Sequence, residues 1–175
     1  MSADALLPPL LAVAALLVLA GAAKLRHPAE ATAFLASVGL PAPLLLVRAS
    51  SLLEVGAGGA ALVRPSEAAA VMALLYLVFT ALVTVQLRQT ESVPCGCLGP
   101  ETIPPSRVHL CLNVSCLAVC VAAVAAGPPS LLALGAANPL AAAVALVAGV
   151  AVALLAAAAT RLFPETLNAW QGARV

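Results

Sequence analysis

The sequence predicts an all-α integral membrane protein: a four-helix transmembrane bundle with a fifth, peripheral span and a short interfacial helix. Three observations carry this. Of 175 residues, 63% are hydrophobic and only 9% charged, against about 25% charged in a soluble domain. The apolar runs are about 18–24 residues long, and a bilayer core of roughly 30 Å needs about 20 helical residues. The charges gather near the ends of those runs. The chain therefore reads as a single membrane domain, residues 1–175. A net charge of +1 gives no polyanion-binding surface, so nucleic acid is not expected as a partner; membrane lipid is.

The first span is expected at 6–23. Pro8-Pro9 fall near its start, where the helix has no N–H partners to lose, and Lys24, Arg26 and His27 end it. Ala20-Gly21-Ala22 resembles a signal-peptide cleavage site, but residues 1–5 lack the basic n-region, so a retained span is expected. Residues 28–40 are too short to span. They read as an amphipathic interfacial helix opened by Pro28 and closed by Gly39 and Pro41, or as a loop helix packed on the spans.

The second span, 43–63, carries Arg48 one turn in and Glu54 near mid-depth. A centred charge costs about 2.5–3.5 kcal/mol on insertion scales, so Glu54 is expected to face the bundle interior with a partner. Gly56, Gly58, Gly59 and Ala60 are small enough for close helix approach. Its structural reading is an ion pair or a protonated, hydrogen-bonded carboxyl; its functional reading is a catalytic group. The third span, 68–87, has a mildly polar stripe of Tyr76, Phe79, Thr80 and Thr84, read as packing groups. The fourth, 106–126, carries Arg107, His109 and Asn113 in its first two turns. The fifth, 139–162, is Ala, Val and Leu up to Thr160 and is expected to be chemically silent, with Trp170 at headgroup level.

Between the third and fourth spans lies a Gly- and Pro-rich loop, 90–105, with Pro94-Cys95-Gly96-Cys97-Leu98-Gly99-Pro100 at its centre. A disulfide between Cys95 and Cys97 closes a ring of roughly 11 atoms, tighter than ordinary disulfide geometry favours. Gly96 can adopt the backbone angles that closure needs. Strained disulfides are easily reduced, and labile ones tend to be catalytic or regulatory. A loop this short also removes little chain entropy, so it makes a poor staple. Cations and helix N-termini favour the reactive thiolate, which nominates Arg107 and His109 as supporting groups. Asn113 shares a helix face with His109. An alternative for His109 is an interfacial side chain bonded to the loop.

The five cysteines also include Cys111, Cys116 and Cys120. The last two read as small apolar residues; Cys111, nearer the surface, is the candidate resolving thiol. A zinc site of Cys95, Cys97, His109 and Cys111 is disfavoured, because residues two apart on a helix project roughly 160° apart. No metal is expected.

These residues resemble the methylamine-utilisation protein MauE family, within the broader DoxX-like membrane proteins. The likeness lies in Gly21-Ala-Ala-Lys24-Leu25 followed by Pro28, Phe34, Leu35 and Gly39-Leu40-Pro41. It continues in Glu54 with Gly58 and Leu62, and in Cys95-Gly96-Cys97-Leu98-Gly99 with His109 and Asn113. Leu98 stands where the family usually has Phe, and Leu112 where it usually has Arg. The resemblance implies a DoxX-like four-helix bundle and a part in disulfide formation or maturation of an exported partner. In the named family that partner is the disulfide-rich small subunit of methylamine dehydrogenase.

The expected activity is a membrane thiol–disulfide oxidoreductase, or its redox subunit, using Cys95 and Cys97. Electrons would pass to a quinone or to a thioredoxin-like partner; the sequence does not choose. Lys24 and Glu54 would order the bundle behind the thiols. The rival is a non-catalytic scaffold or small-molecule carrier with Lys24 and Glu54 lining a polar cavity. A cytoplasmic N-terminus puts the Cys-Gly-Cys loop outside, where oxidative folding occurs. The positive-inside rule opposes this, with Lys24, Arg26, Arg88, Arg107, Arg161 and Arg174 on the loop side and Arg64 opposite. The extracytoplasmic side is the expectation.

Overall fold

The computed structural model describes residues 3–89, 93 and 105–172, with side chains described through Thr160. The loop residues Cys95, Gly96 and Cys97 lie outside the described residues, as does the side chain of Trp170. Among the described residues every regular element is helical. After a 3-10 turn at Ala3–Leu6 come α1 (Leu7–Arg26), α2 (Pro28–Ser37), α3 (Leu44–Ala60), α4 (Pro65–Gln86), α5 (Arg107–Ala126), α6 (Leu131–Ala137) and α7 (Pro139–Gly172).

Four helical stretches are long and apolar enough to cross a membrane: Ala3–Arg26, Pro65–Gln86, Arg107–Ala126 and Pro139–Thr160. Their outer faces carry bare Leu and Val, such as Leu74, Leu77, Val121, Leu140 and Val147. In water such a surface would drive association; in a bilayer it is the face that meets lipid. The protein is a multi-pass membrane protein.

The helix expected over 43–63 is shorter, at 17 residues, or about 25 Å of rise. Its end has two causes. Gly56, Gly58 and Gly59 weaken its last turns, and Pro65 forces Arg64 out of helical geometry, to φ −128° and ψ 69°. The same device separates α1 from α2. His27, before Pro28, sits at φ −129° and ψ 64°, so one residue turns the chain. Gly39, at φ +78°, takes the left-handed conformation that ends the α2 turn.

The principal packing pairs are α4 with α5, α1 with α3 and α1 with α7. Small residues set the close approaches. A Cβ on Gly21 would stand 2.7 Å from the Ser51 carbonyl oxygen and 3.0 Å from Glu54 Cβ; one on Gly58 would stand 2.6 Å from Val18 Cγ2 and 2.7 Å from the Ala14 carbonyl oxygen. The two glycines thus hold α1 and α3 in contact. Gly56 and Gly59 face open space, so only one of the three glycines in this stretch serves the interface. α7 meets α1 in the same manner, with Gly149 against Leu11. Tyr76 ties α4 to α1, its buried hydroxyl donating to the Val13 carbonyl at 2.9 Å.

Candidate functional site

α1 and α3 bring Lys24 and Glu54 together. The ammonium donates to both carboxylate oxygens, at 2.5 and 2.6 Å. The two residues are 6% and 1% exposed, so the pair is sealed from bulk water. Arg48, on the same helix as Glu54, is exposed instead. The glycine contact explains the reach: with Gly21 one turn before Lys24 pressed on Glu54 Cβ, a lysine on α1 meets a carboxylate on α3 over a short span. Phe79 of α4 closes a third side, with Lys24 Nζ 4.5 Å from its ring centroid. That geometry lets the ring's negative face share the cation. Phe79 meets Tyr76 edge-on, the centroids 6.1 Å apart.

The pair forms part of the wall of a cavity of about 350 Å3. Its lining is mostly apolar: Leu16, Leu17, Phe34, Val47, Leu82 and Val83 are representative. The polar minority is Lys24, Glu54, Ser50, Tyr76, His109 and Asn113. α2 is therefore not a bystander at the interface. Its Ala31 and Phe34 are buried and line this space. Its last residue, Ser37, donates to Gln86 Oε1 at 3.1 Å, and Gln89 donates to the Ser37 carbonyl at 3.0 Å, which clamps α2 to the end of α4.

α5 contributes His109, Leu112, Asn113 and Cys116 to the lining. His109 is fixed by its own helix start. Nδ1 accepts from the Ser106 N–H at 3.4 Å and lies 3.1 Å from the Ser106 hydroxyl, a capping box in which histidine takes the usual Glu place. A ring nitrogen that accepts an N–H carries no proton, so Nε2 is the donor of this neutral imidazole. Arg107 is exposed at the first position of α5. Cys111 is exposed, while Cys116 and Cys120 are buried in the core. No three His, Cys, Asp or Glu side chains gather as metal ligands among the described residues.

Sequence reasoning nominated Lys24 with Glu54 and His109 with Asn113 as two pairs, and the fold brings all four to one cavity. It gave Phe79, Phe34 and Tyr76 no more than packing or helix-face roles. Beyond the place of Phe34 in the family likeness, their signal was aromatic character in a chain with 3% aromatics.

A multi-pass helical bundle with a buried lysine–glutamate pair on the wall of an intramembrane cavity is the class these features define. Residues 3–127 match the family described as methylamine utilisation protein MauE. The chain belongs to that family, and the match ends at the close of α5. No curated protein and no solved structure matches the chain.

Proposed function

We propose that this protein is a membrane thiol–disulfide redox protein that assists disulfide formation in, or maturation of, an exported partner. Cys95 and Cys97 are the exchanging thiols. The family provides the setting, a protein associated with methylamine utilisation; the dithiol role is the reading of this chain's own residues. The supporting observation is one of connectivity. The segment with Cys95-Gly96-Cys97 joins the end of α4 to the start of α5, and both ends contribute side chains to the cavity.

In this reading His109 acts as a donor. Its Nε2–H can hydrogen-bond a developing thiolate, and Ser106 holds the ring in that tautomer. Arg107 adds positive charge at the helix start, which favours the thiolate form. The loop faces the extracytoplasmic side, and the partner is a thioredoxin-like or other disulfide-bearing exported protein.

A second reading has one observation in its favour. The buried pair lines a cavity of ligand size, so a scaffold or carrier of small molecules is the alternative. Substitution separates the two. Under the dithiol reading, Cys95→Ser and Cys97→Ser each abolish partner oxidation in cells, while Cys116→Ala retains it. Under the carrier reading, Glu54→Gln is the damaging change and Cys95→Ser is tolerated. Full activity of the double Cys95→Ser, Cys97→Ser protein overturns the proposal.

A further inference from the structure

The geometry points to the cavity as a binding site for a lipid-soluble quinone, held through its carbonyl oxygens. Three observations carry this. First, the cavity opens sideways. Leu46 of α3 and Val78 of α4 both line it, and they are 56% and 52% exposed on the outer face of the bundle. α3 and α4 make a much sparser contact than α1 with α3 or α4 with α5. A ligand that arrives through this opening comes from the bilayer, not from water.

Second, the buried ammonium has a donor to spare. A lysine ammonium carries three N–H groups, and among the described residues its only hydrogen-bond acceptors are the two oxygens of Glu54. The remaining N–H, on a group that lines the cavity, has only the Phe79 ring face beside it, a weaker partner than a carbonyl oxygen. A lipid acyl chain offers no acceptor.

Third, the polar groups stand on two sides. Lys24 is on α1, whereas the Asn113 amide is on α5, one turn from His109. A quinone is a flat apolar ring with acceptor oxygens at opposite ends and, in lipid-soluble forms, a hydrocarbon tail. Phe34, Tyr76 and Phe79 supply aromatic wall for such a ring, and about 350 Å3 lies within the roughly 300–1,000 Å3 of small-molecule sites.

The redox consequence rests on the dithiol reading above; the binding does not. Oxidation of two thiols to one disulfide releases two electrons and two protons. A quinone takes up both and leaves as the quinol, so the step balances with no other co-reactant.

The test uses the full chain in nanodiscs of quinone-free lipid, with tritiated decylubiquinone as the probe and empty nanodiscs subtracted. Expected is saturable binding at one per chain, not displaced by decylbenzene, which has the ring and tail but no carbonyls. Ser50→Phe fills the cavity and leaves the ion pair in place. Lys24→Met with Glu54→Leu removes the donor without stranding a charge. Each is expected to weaken binding about tenfold or more, the first by occupying the ring's space and the second by the loss of one hydrogen bond to a charged group. Absence of saturable binding, indifference to both variants, or equal displacement by decylbenzene overturns the inference; the last would make the cavity an acyl-chain groove. The Cys95→Ser, Cys97→Ser protein separates the two proposals. If it binds quinone like the unaltered chain and the thiols prove dispensable in cells, the site stands and the dithiol reading falls. If the thiols cycle but no quinone binds, the reverse holds.

Discussion

Lys24 and Glu54 illustrate how far a buried charge depends on its neighbour. Either residue alone in the bundle interior would be an uncompensated ion, and breaking a buried pair by removing one partner typically costs about 3–5 kcal/mol. Replacing both with apolar residues of similar volume is often neutral or stabilising. Lys24→Met is therefore expected to lower stability by about 3–5 kcal/mol, and Lys24→Met with Glu54→Leu to recover most of it. Thermal unfolding in detergent micelles reads both; equal destabilisation by the single and double changes would mean the two charges do not depend on each other. Tyr76 is a milder case. Its hydroxyl donates to a carbonyl of α1, so Tyr76→Phe is expected to cost about 1 kcal/mol, the net value of one hydrogen bond, with the ring packing on Phe79 retained.

At the scale of elements, two proline junctions shape the site. Pro28 and Pro65 each push the preceding residue out of the helix, to nearly the same backbone angles at His27 and Arg64. The first folds α2 over the cavity; the second ends α3 and starts α4. Between these turns, Gly21 and Gly58 let α1 and α3 touch. Helix association inside a bilayer depends on such close packing, because lipid tails are as apolar as the side chains they would replace. Gly58→Leu is expected to push the helices apart and cost about 1–3 kcal/mol, the usual range for overpacking. Gly59→Leu, one residue on and facing open space, is expected to stay within about 0.5 kcal/mol. Melting temperatures of the two variants check this directly, and similar losses in both would contradict the assigned faces.

For the whole molecule, the ion pair bears on orientation. Lys24 was one of the positive charges that argued for a cytoplasmic Cys-Gly-Cys loop. It is buried and neutralised by Glu54, so it is not a free positive charge at the membrane surface, and the excess on that side shrinks. Arg26, Arg88, Arg107, Arg161 and Arg174 still outnumber Arg64, so the expectation of an extracytoplasmic loop rests on where dithiol oxidation occurs, and the measurement is labelling of intact cells with an impermeant maleimide. Cys95 and Cys97 should react only after prior reduction with an impermeant reductant. Labelling confined to broken cells would place the loop inside.

The sequence by itself determined the class: a bilayer leaves only helices and closed barrels to satisfy backbone polar groups, and apolar runs of about 20 residues fit a helix, where a barrel strand needs about 9–11. It also marked Glu54 as a residue in need of a partner. It set Lys24 beside Glu54 in one of its readings, but periodicity alone could not fix that contact. Arg48 is six positions away in the chain, yet it points outward, whereas Lys24 is thirty positions away and makes the contact. Periodicity specifies the face of a helix but not which helix that face meets. The same holds for the three glycines of α3, of which only Gly58 meets a neighbour, and for the lateral opening between α3 and α4. These were settled by the pairing of α1 with both α3 and α7, because only the assembled bundle fixes which small residues touch and where a gap remains.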